Sequence, residues 1–453
     1  MTNLRPYPVY KSSDVEWLGK IPGHWKSQRL RSVAQLAASN VDKIQVEGEQ
    51  PVRLCNYTDV YNHHRITDEM AFMLGTATKE ETRRFSLRSG DVMFTKDSES
   101  FDDIGIPAVA GTDLENVVLG YHLMLARPGI SLYGPYLAWF FTSKQNRWQF
   151  EVSANGVTRF GMPQSGFKDA VVSLPPLDEQ RAIADFLDVA DARITRYIAA
   201  KRRMIALLEE LKQASINQAV TRGLDPDVPL KPSGVDWLGD TPAHWEVKRG
   251  SSLFSERNQT GFPTLPILEV SLVSGVTVRD LKNSQRKQQM SDRDGYKKAE
   301  KGDLPYNMMR MWQGAVGLAP VTGLVSPAYV VLIPNQGVSA SFFARLFKTE
   351  QCKAQFSRVS RGIVSDRDRL YWESFRQIHF AVPPFNEQTA IAAYTEQASR
   401  SIDGTATKAK REIELVQEYR TRLISDVVTG RLDVRGVELP APEDVFDASF
   451  AID

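Results

Sequence analysis

The sequence predicts an α+β protein in which two pseudo-symmetric, mixed α/β globular regions are separated by two long, antiparallel, paired helices of coiled-coil type. Three observations predict it. Residues 174–223 show helical periodicity, with no Gly or Pro between Pro176 and Gly223. The same pattern returns 208 residues on, from Pro175 to Pro383. A Trp-Leu-Gly motif precedes each globular stretch, at residues 17–19 and 237–239.

Pro175 and Pro176 suit a helix entry and not its interior, because the ring fixes φ and removes an N–H. Asp178 is the expected N-cap. Glu179 places an acid in the first turn, where the helix dipole favours negative charge. Gly223 is the expected stop. Ile183, Phe186, Ala190, Ile194, Tyr197, Ile205, Leu208, Leu211 and Ala219 recur at three- and four-residue steps, with Lys201 and Ser215 interrupting the series. A stripe that narrow packs against one other helix. In the second copy Pro383, Pro384, Glu387, Gln388 and Ile391 repeat Pro175, Pro176, Glu179, Gln180 and Ile183, and Val428-Thr429 repeat Val220-Thr221. The two rods therefore match in length, and two equal stripes in one chain most simply bury each other. Gly404 weakens the second rod locally by about 1 kcal/mol without ending it.

Ahead of the globular stretches, Ser13-Asp14-Val15-Glu16-Trp17-Leu18-Gly19 with Pro22, His24-Trp25 and Arg29 recurs as Ser233-Gly234-Val235-Asp236-Trp237-Leu238-Gly239 with Pro242, His244-Trp245 and Arg249. The chain is a tandem duplication: WLG motif, variable globular region, PPxxEQ helix. These residues, in this order and each present twice, resemble the specificity (S) subunit of a type I restriction-modification system over nearly the whole chain. The resemblance implies that each globular region reads one half of a split, asymmetric double-stranded DNA target. It also implies that the helices fix the gap and bind two methyltransferase (M) subunits. Two restriction/translocase (R) subunits complete the implied assembly. S-adenosylmethionine, ATP and Mg are then expected on those partners, with no cofactor and no catalysis on this chain.

The expected divisions are a lead with the WLG module (1–29), a first recognition domain (30–173) and a first long helix (174–223). A linker with the second module follows (224–249), then a second recognition domain (250–381), a second long helix (382–432) and an acidic tail (433–453), extended or partly disordered. The 453 residues can hold several cores. Lys+Arg 56 against Asp+Glu 55 leaves a net charge of +1, so any nucleic-acid contact must come from local patches. With only Cys55 and Cys352, a disulfide framework is excluded and a reducing, cytoplasmic setting fits. No run approaches 18 apolar residues, so no membrane partner is expected.

Within the globular regions, Pro51 to Leu54 and Gly90 to Phe94 read as strands, and residues 136–150 as one helix without a breaker. Gly302 to Tyr306 and residues 342–356 answer the last two in the second copy. Elsewhere the two regions hardly match, which suggests two readers of one kind with different texts. Trp17 and Trp25 read as a local hydrophobic plug, and His24 and His244 as structural imidazoles.

No GxxxxGK[ST] phosphate loop, Gly-rich dinucleotide fingerprint, Asn-Pro-Pro-aromatic methyltransferase motif or nuclease carboxylate–lysine cluster occurs. No metal site is expected, and His63-His64 is instead a candidate for touching a phosphate or a base from a polar loop. Residues 279–301 carry Arg279, Lys282, Arg286, Lys287, Lys297 and Lys298 among Gln and Asn side chains able to bond base edges. Residues 307–317, NMMRMWQGAVG, place Asn307 and Arg310 in a loop after a strand, and resemble the loop in that position in the family's recognition domains. Thr95-Lys96-Asp97-Ser98 is the first-copy counterpart, and a contact role for Lys96 there rests on position alone. Arg159 and Arg361, near a shared Gly, are candidates for backbone phosphates. Two other classes remain open on the residues: a self-contained nuclease or methyltransferase with an unrecognised site, and a coiled-coil scaffold that binds no DNA.

Overall fold

The computed structural model describes residues 4–272, 274–279, 293–362 and 368–439. The chain divides into two compact units: Met1–Lys201 with Lys410–Asp453, and Arg202–Ala409. Both divisions fall inside a long helix, Leu177–Arg222 of 46 residues and Phe385–Val428 of 44. The near-equality follows from the repeated spacing. At about 1.5 Å per residue each rod is roughly 65–70 Å long.

In the first unit, residues 177–201 pair with residues 410–428. Leu187, Ala190 and Ile194 lie with Leu423 and Ile424 beside an Asp191–Arg420 ion pair. Further along, the Tyr197 hydroxyl donates to Glu412 at 2.9 Å and Lys201 pairs with the same carboxylate at 2.7 Å. The partner numbers fall as the first helix's rise, so the packing is antiparallel. The second unit holds its own stretch of the pair, where Lys212 meets Asp403 at 2.8 Å. Gly404 interrupts nothing: the helix runs through it, and a Cβ there would meet open space.

The globular part of the first unit is built on a five-stranded sheet. Its order is Ala34–Ala38, Leu123–Pro128, Val92–Thr95, Pro107–Ala110, Arg65–Ile66. A three-stranded sheet, Val117–Leu119, Gln50–Cys55 and Met73–Ala77, completes it. The second unit keeps the first three positions of the larger sheet as Phe254–Arg257, Tyr329–Pro334 and Leu304–Asn307. In both units the strand leading into the long helix pairs antiparallel with the strand after the HW dipeptide. These pairs are Val171–Leu174 with Lys26–Arg29, and His379–Val382 with Glu246–Arg249.

One carboxylate ties each WLG module to its helix. Glu179, only 5% exposed in its side chain, accepts from the Trp25 indole N–H at 2.9 Å and the Tyr7 hydroxyl at 2.5 Å, and meets His24 Nε2 at 2.8 Å. Burial first, and then the bond to Glu179, holds the Tyr7 phenol well above its usual pKa, so it stays a donor. Glu387 repeats this with Trp245 Nε1 at 3.1 Å and His244 Nε2 at 2.7 Å, but has no tyrosine partner among the described residues and is 26% exposed.

The module also meets the far end of the second helix, as the duplication requires. Gly430 adopts φ +74°, and a Cβ there would lie 2.4 Å from Pro22 Cδ. Its carbonyl accepts from the Tyr10 hydroxyl at 3.0 Å, and the Asp433 N–H donates to the Arg5 carbonyl. The first helix likewise stops at a left-handed Gly223.

Several expectations need correction. Asp178 is not the N-cap; the helix starts one residue earlier, at Leu177. The single helix expected at 136–150 is two, Gly134–Thr142 and Lys144–Ser153, parted at Ser143, which is extended at φ −64°, ψ 120°. The Asn146 amide satisfies the freed Phe140 carbonyl at 2.9 Å. The second copy breaks at the matching place, where Thr349 caps Glu350–Val359. In the lead, Tyr7 is buried and Tyr10–Ser12 pairs with Lys20–Pro22. Within the tail, Val434 is buried and Asp433 is hydrogen-bonded; residues 440–453 lie outside the described part.

The two anchoring carboxylates should differ in worth. Glu179→Ala leaves an indole N–H and a phenol buried without a partner, each costing about 1–3 kcal/mol. Glu387→Ala strands one indole in a more open place. Thermal unfolding of the two variants should therefore show the larger drop in Tm for Glu179→Ala, and an equal or reversed ranking would contradict this anchoring.

Candidate nucleic-acid interface

In the first unit the chain leaves the Val92–Thr95 strand through Lys96 and enters Asp97–Ser98, which pairs with Phe160–Gly161. The Lys96 N–H donates to the His122 carbonyl and its own carbonyl accepts from the Met162 N–H, both at 2.8 Å. Three strand ends are thereby stitched together, and three basic side chains converge on the Asp97 carboxylate. Arg159 reaches its Oδ1 through Nε at 2.9 Å and Nη2 at 2.7 Å, His122 Nδ1 lies at 2.6 Å, and Lys96 Nζ is 3.9 Å from Oδ2.

Asp97 is 12% exposed while the Arg159 side chain is 56% exposed. The carboxylate thus sits behind and the guanidinium in front. Arg159 Nη2 also lies 3.2 and 3.3 Å from the two ring nitrogens of His122, which places it over the imidazole rather than on one lone pair. Lys96 lies 4.6 Å from the exposed Tyr121 ring. A guanidinium held on one edge and from below keeps its remaining donors outward, the geometry that bidentate bonding to a base edge or phosphate needs. His122 holds φ +72°, uncommon outside glycine.

The tandem histidines part company. His63 is exposed, with Nδ1 3.0 Å from the Asp59 carbonyl. His64, expected on a polar loop, instead packs its ring 3.9 Å from that of Trp139, and its Nε2 is enclosed. Burial, with repulsion from Arg65 and Arg420, pulls its pKa down to about 3, so it is neutral and inward-facing at pH 7. It contributes no phosphate contact.

In the second unit the loop after Leu304–Asn307 is self-supporting. Asn307 Oδ1 accepts from the Met309 N–H and the Trp312 indole donates to the Met309 carbonyl, both at 3.0 Å. Met311 is buried beneath, and the turn closes at Gly314. Arg310 is exposed and forms no ion pair among the described residues. Asn307 therefore shapes the loop rather than offering its oxygen outward.

Lys297 and Lys298 lie in the strand Lys297–Ala299 rather than in a loop, and both face acids. Lys297 is 3.6 Å from Glu256, and Lys298 is 2.7 Å from Glu300 and 5.0 Å over Phe262. Arg279 is half-buried and its N–H donates to the Ile267 carbonyl. Arg361 is exposed, bridged through its backbone to Arg369. Lys282, Arg286 and Lys287 fall outside the described residues.

Tyr121 and His122 escaped the sequence reading, and Asp97 entered it only as a neighbour of Lys96. Only their adjacency in number to strand ends hinted at them, and nothing in the sequence placed 122 and 159 around 97. Among the described residues no group of three or more His, Cys, Asp or Glu could hold a metal ion, and no helix is long and apolar enough to cross a membrane.

Comparison with known proteins gives a consistent result. Residues 57–203 match the family model described as the type I restriction modification DNA specificity domain. A putative type I restriction enzyme MjaX specificity subunit of Methanocaldococcus jannaschii is 22% identical over 438 residues, covering 92% of this chain and 96% of the relative. The MjaVIII specificity subunit of the same organism is 21% identical over 290 residues, 60% of this chain and 64% of its own length. The fold is similar to the crystal structure of the HsdS subunit from Thermoanaerobacter tengcongensis, with TM-score 0.56 and 16% identity over 91% of this chain and 97% of that one. It is also similar to a chain from a structure on complex assembly and conformational transition of the type I R-M system, with TM-score 0.62 and 13% identity over 90% and 98% of the two chains. A model of the DNA specificity domain thus matches residues 57–203, and the chain is similar to type I specificity subunits along nearly its whole length.

Proposed function

We propose that this chain reads a split, asymmetric double-stranded DNA target, one half with each globular region, and carries the methyltransferase and restriction subunits to it. The carrying observation is the duplication itself: one frame built twice, each copy presenting a different exposed arginine device. In the first unit it is Arg159, propped by Asp97 and His122. In the second it is Arg310, on a loop braced by Asn307 and Trp312. On this reading the chain is a recognition component and not an enzyme.

The finer assignments follow the same reading. Two M subunits dock on the paired helices and supply S-adenosylmethionine chemistry, and two R subunits supply the ATP- and Mg-dependent steps. Lys96 and His63 join Arg159 as contacts of the first domain, and Arg361 and Arg279 join Arg310 in the second. Both arginine devices suit guanine, whose O6 and N7 accept two parallel N–H bonds.

Methylome sequencing of cells expressing the chain with its cognate methyltransferase should return one split motif. Exchanging residues 250–381 for the matching region of a relative should change one half-site and leave the other half and the gap intact. Changes in both halves would refute the one-domain, one-half assignment.

Arg159→Lys and Arg310→Ala should each relax recognition in the half read by its own domain, by about 1–3 kcal/mol of discrimination. Lysine keeps the charge but loses the fork, so Arg159→Lys should leave the salt dependence of binding nearly unchanged. Competition binding with single-base-substituted duplexes separates the outcomes. A uniform loss over all sequences would mark either residue as a phosphate contact.

A further inference from the structure

The duplicated frame provides an internal control on one charged cleft in the second unit. Ser143 and Thr349 occupy the same place, each starting the second of two short helices. Counting back from them, Trp139 corresponds to Arg345 and Thr142 to Lys348. Asp188 and Glu396 also correspond, each nine residues beyond the anchoring glutamate. In the first unit the Trp139 indole donates to Asp188 at 2.9 Å, and Thr142 bonds its own helix at the Ala138 carbonyl. The space beside them is filled: His64 packs on Trp139 and Arg65 pairs with Asp188 at 2.5 Å.

In the second unit the corresponding space is an open cleft of about 740 Å³. Its walls carry four cations, Lys212, Arg345, Lys348 and Lys353, against two acids, Glu209 and Glu350. Lys212 is neutralised by Asp403 and Glu209, and Lys353 by Glu350 at 2.8 Å. Arg345 has Glu396 at 3.8 Å. Lys348 forms no ion pair among the described residues, although it is more than half covered and faces Arg345 and Lys353. Burial and those two cations lower its pKa, so its charge is held at a cost that the frame does not require. A threonine serves at that place in the first unit.

Gln313 and Gly314, which close the loop bearing Arg310, form part of the same wall. The cleft therefore continues the surface assigned above to DNA. We propose that it is a phosphate site, in which Lys348, flanked by Arg345 and Lys353, takes a phosphate of the DNA backbone beside the half-site read by Arg310. This rests on the DNA-reading function proposed above. It makes Lys348 a positioning contact with no role in choosing bases, because phosphates carry no sequence.

The test compares the whole chain with Lys348→Thr, the residue of the first unit, in complex with the methyltransferase subunits. Binding to the cognate duplex and to a scrambled duplex is measured as a function of salt. The variant should weaken both duplexes alike, several-fold, and reduce the slope of log K against log salt by about 0.9, the share of one phosphate. Lys348→Arg should keep most of the affinity and the slope, which separates lost charge from a damaged fold. An unchanged slope in Lys348→Thr, or a loss confined to the cognate duplex, would overturn the proposal. So would saturable binding of inorganic phosphate to the DNA-free chain, abolished by Lys348→Thr with no change in the DNA slope, since the cleft would then serve a free anion. If the unaltered complex bound both duplexes equally while Lys348→Thr still lowered the slope, target reading would fail and the phosphate site would stand. If it bound neither, both would fall.

Discussion

The hydrogen bond from a buried indole N–H to the first-turn glutamate of a long helix is the constraint on which the rest of the fold depends. Trp25 to Glu179 and Trp245 to Glu387 fasten the module that precedes each globular region to the helix that follows it. Between the two ends of each bond lie about 150 residues of variable chain. The same closure sets the strand pairs Lys26–Arg29 with Val171–Leu174 and Glu246–Arg249 with His379–Val382. The insert enters and leaves each frame at one fixed place, whatever it contains. A charged acceptor is suited to this role, since bonds to an ionised carboxylate are roughly twice as strong as neutral ones and an indole left without a partner there is costly.

The two copies solve the same local problems with different chemistry, which shows where the frame is strict and where it is free. The aspartate of the Gly-Asp turn is buried in both and needs an arginine in both. In the first copy Arg127 comes from the strand Leu123–Pro128; in the second Arg257 comes from Phe254–Arg257, the neighbouring strand position. What is retained is a neutralised carboxylate at that turn, not a particular pair of positions. The junction of domain and helix drifts further, from an indole on Asp188 to a guanidinium near Glu396. Positions that only have to satisfy a donor or a charge can be refilled, provided that the partner changes with them.

Much of the frame was legible because its signals are local and repeated. Helical stripes, the Pro-Pro entry and the WLG motif are read within a few residues of each other, and a second copy at a constant offset removes accidental matches. The break at Ser143 was not legible. Residues 136–150 contain no Gly or Pro, and the kink depends on Asn146 reaching back to the Phe140 carbonyl, a tertiary solution to a freed backbone group. The site was less legible still. Arg159 was visible as a basic residue near a glycine, but its holder Asp97 is 62 positions away and its imidazole neighbour His122 lies 37 away. His64 misled for the converse reason: two adjacent histidines on a polar stretch look alike until the sheet turns one of them onto Trp139.

Each proposed reading device is braced by bonds made within it, local in sequence around Arg310 and drawn from three strand ends around Arg159. The Arg310 loop holds itself through Asn307 and Trp312, and the Arg159 cluster closes on Asp97 at the ends of three strands. Self-bracing keeps the conformational entropy of ordering these side chains from being charged to DNA binding, which preserves affinity per contact. It also means that a substitution inside one device removes little support from the anchoring glutamates, because no bond among the described residues links them. Residues in contact couple strongly whereas separated groups are nearly additive. A chain built this way can exchange the residues that choose bases while the Trp–Glu closures and the helix pairing keep their energies, which is the physical condition for one frame to serve many targets.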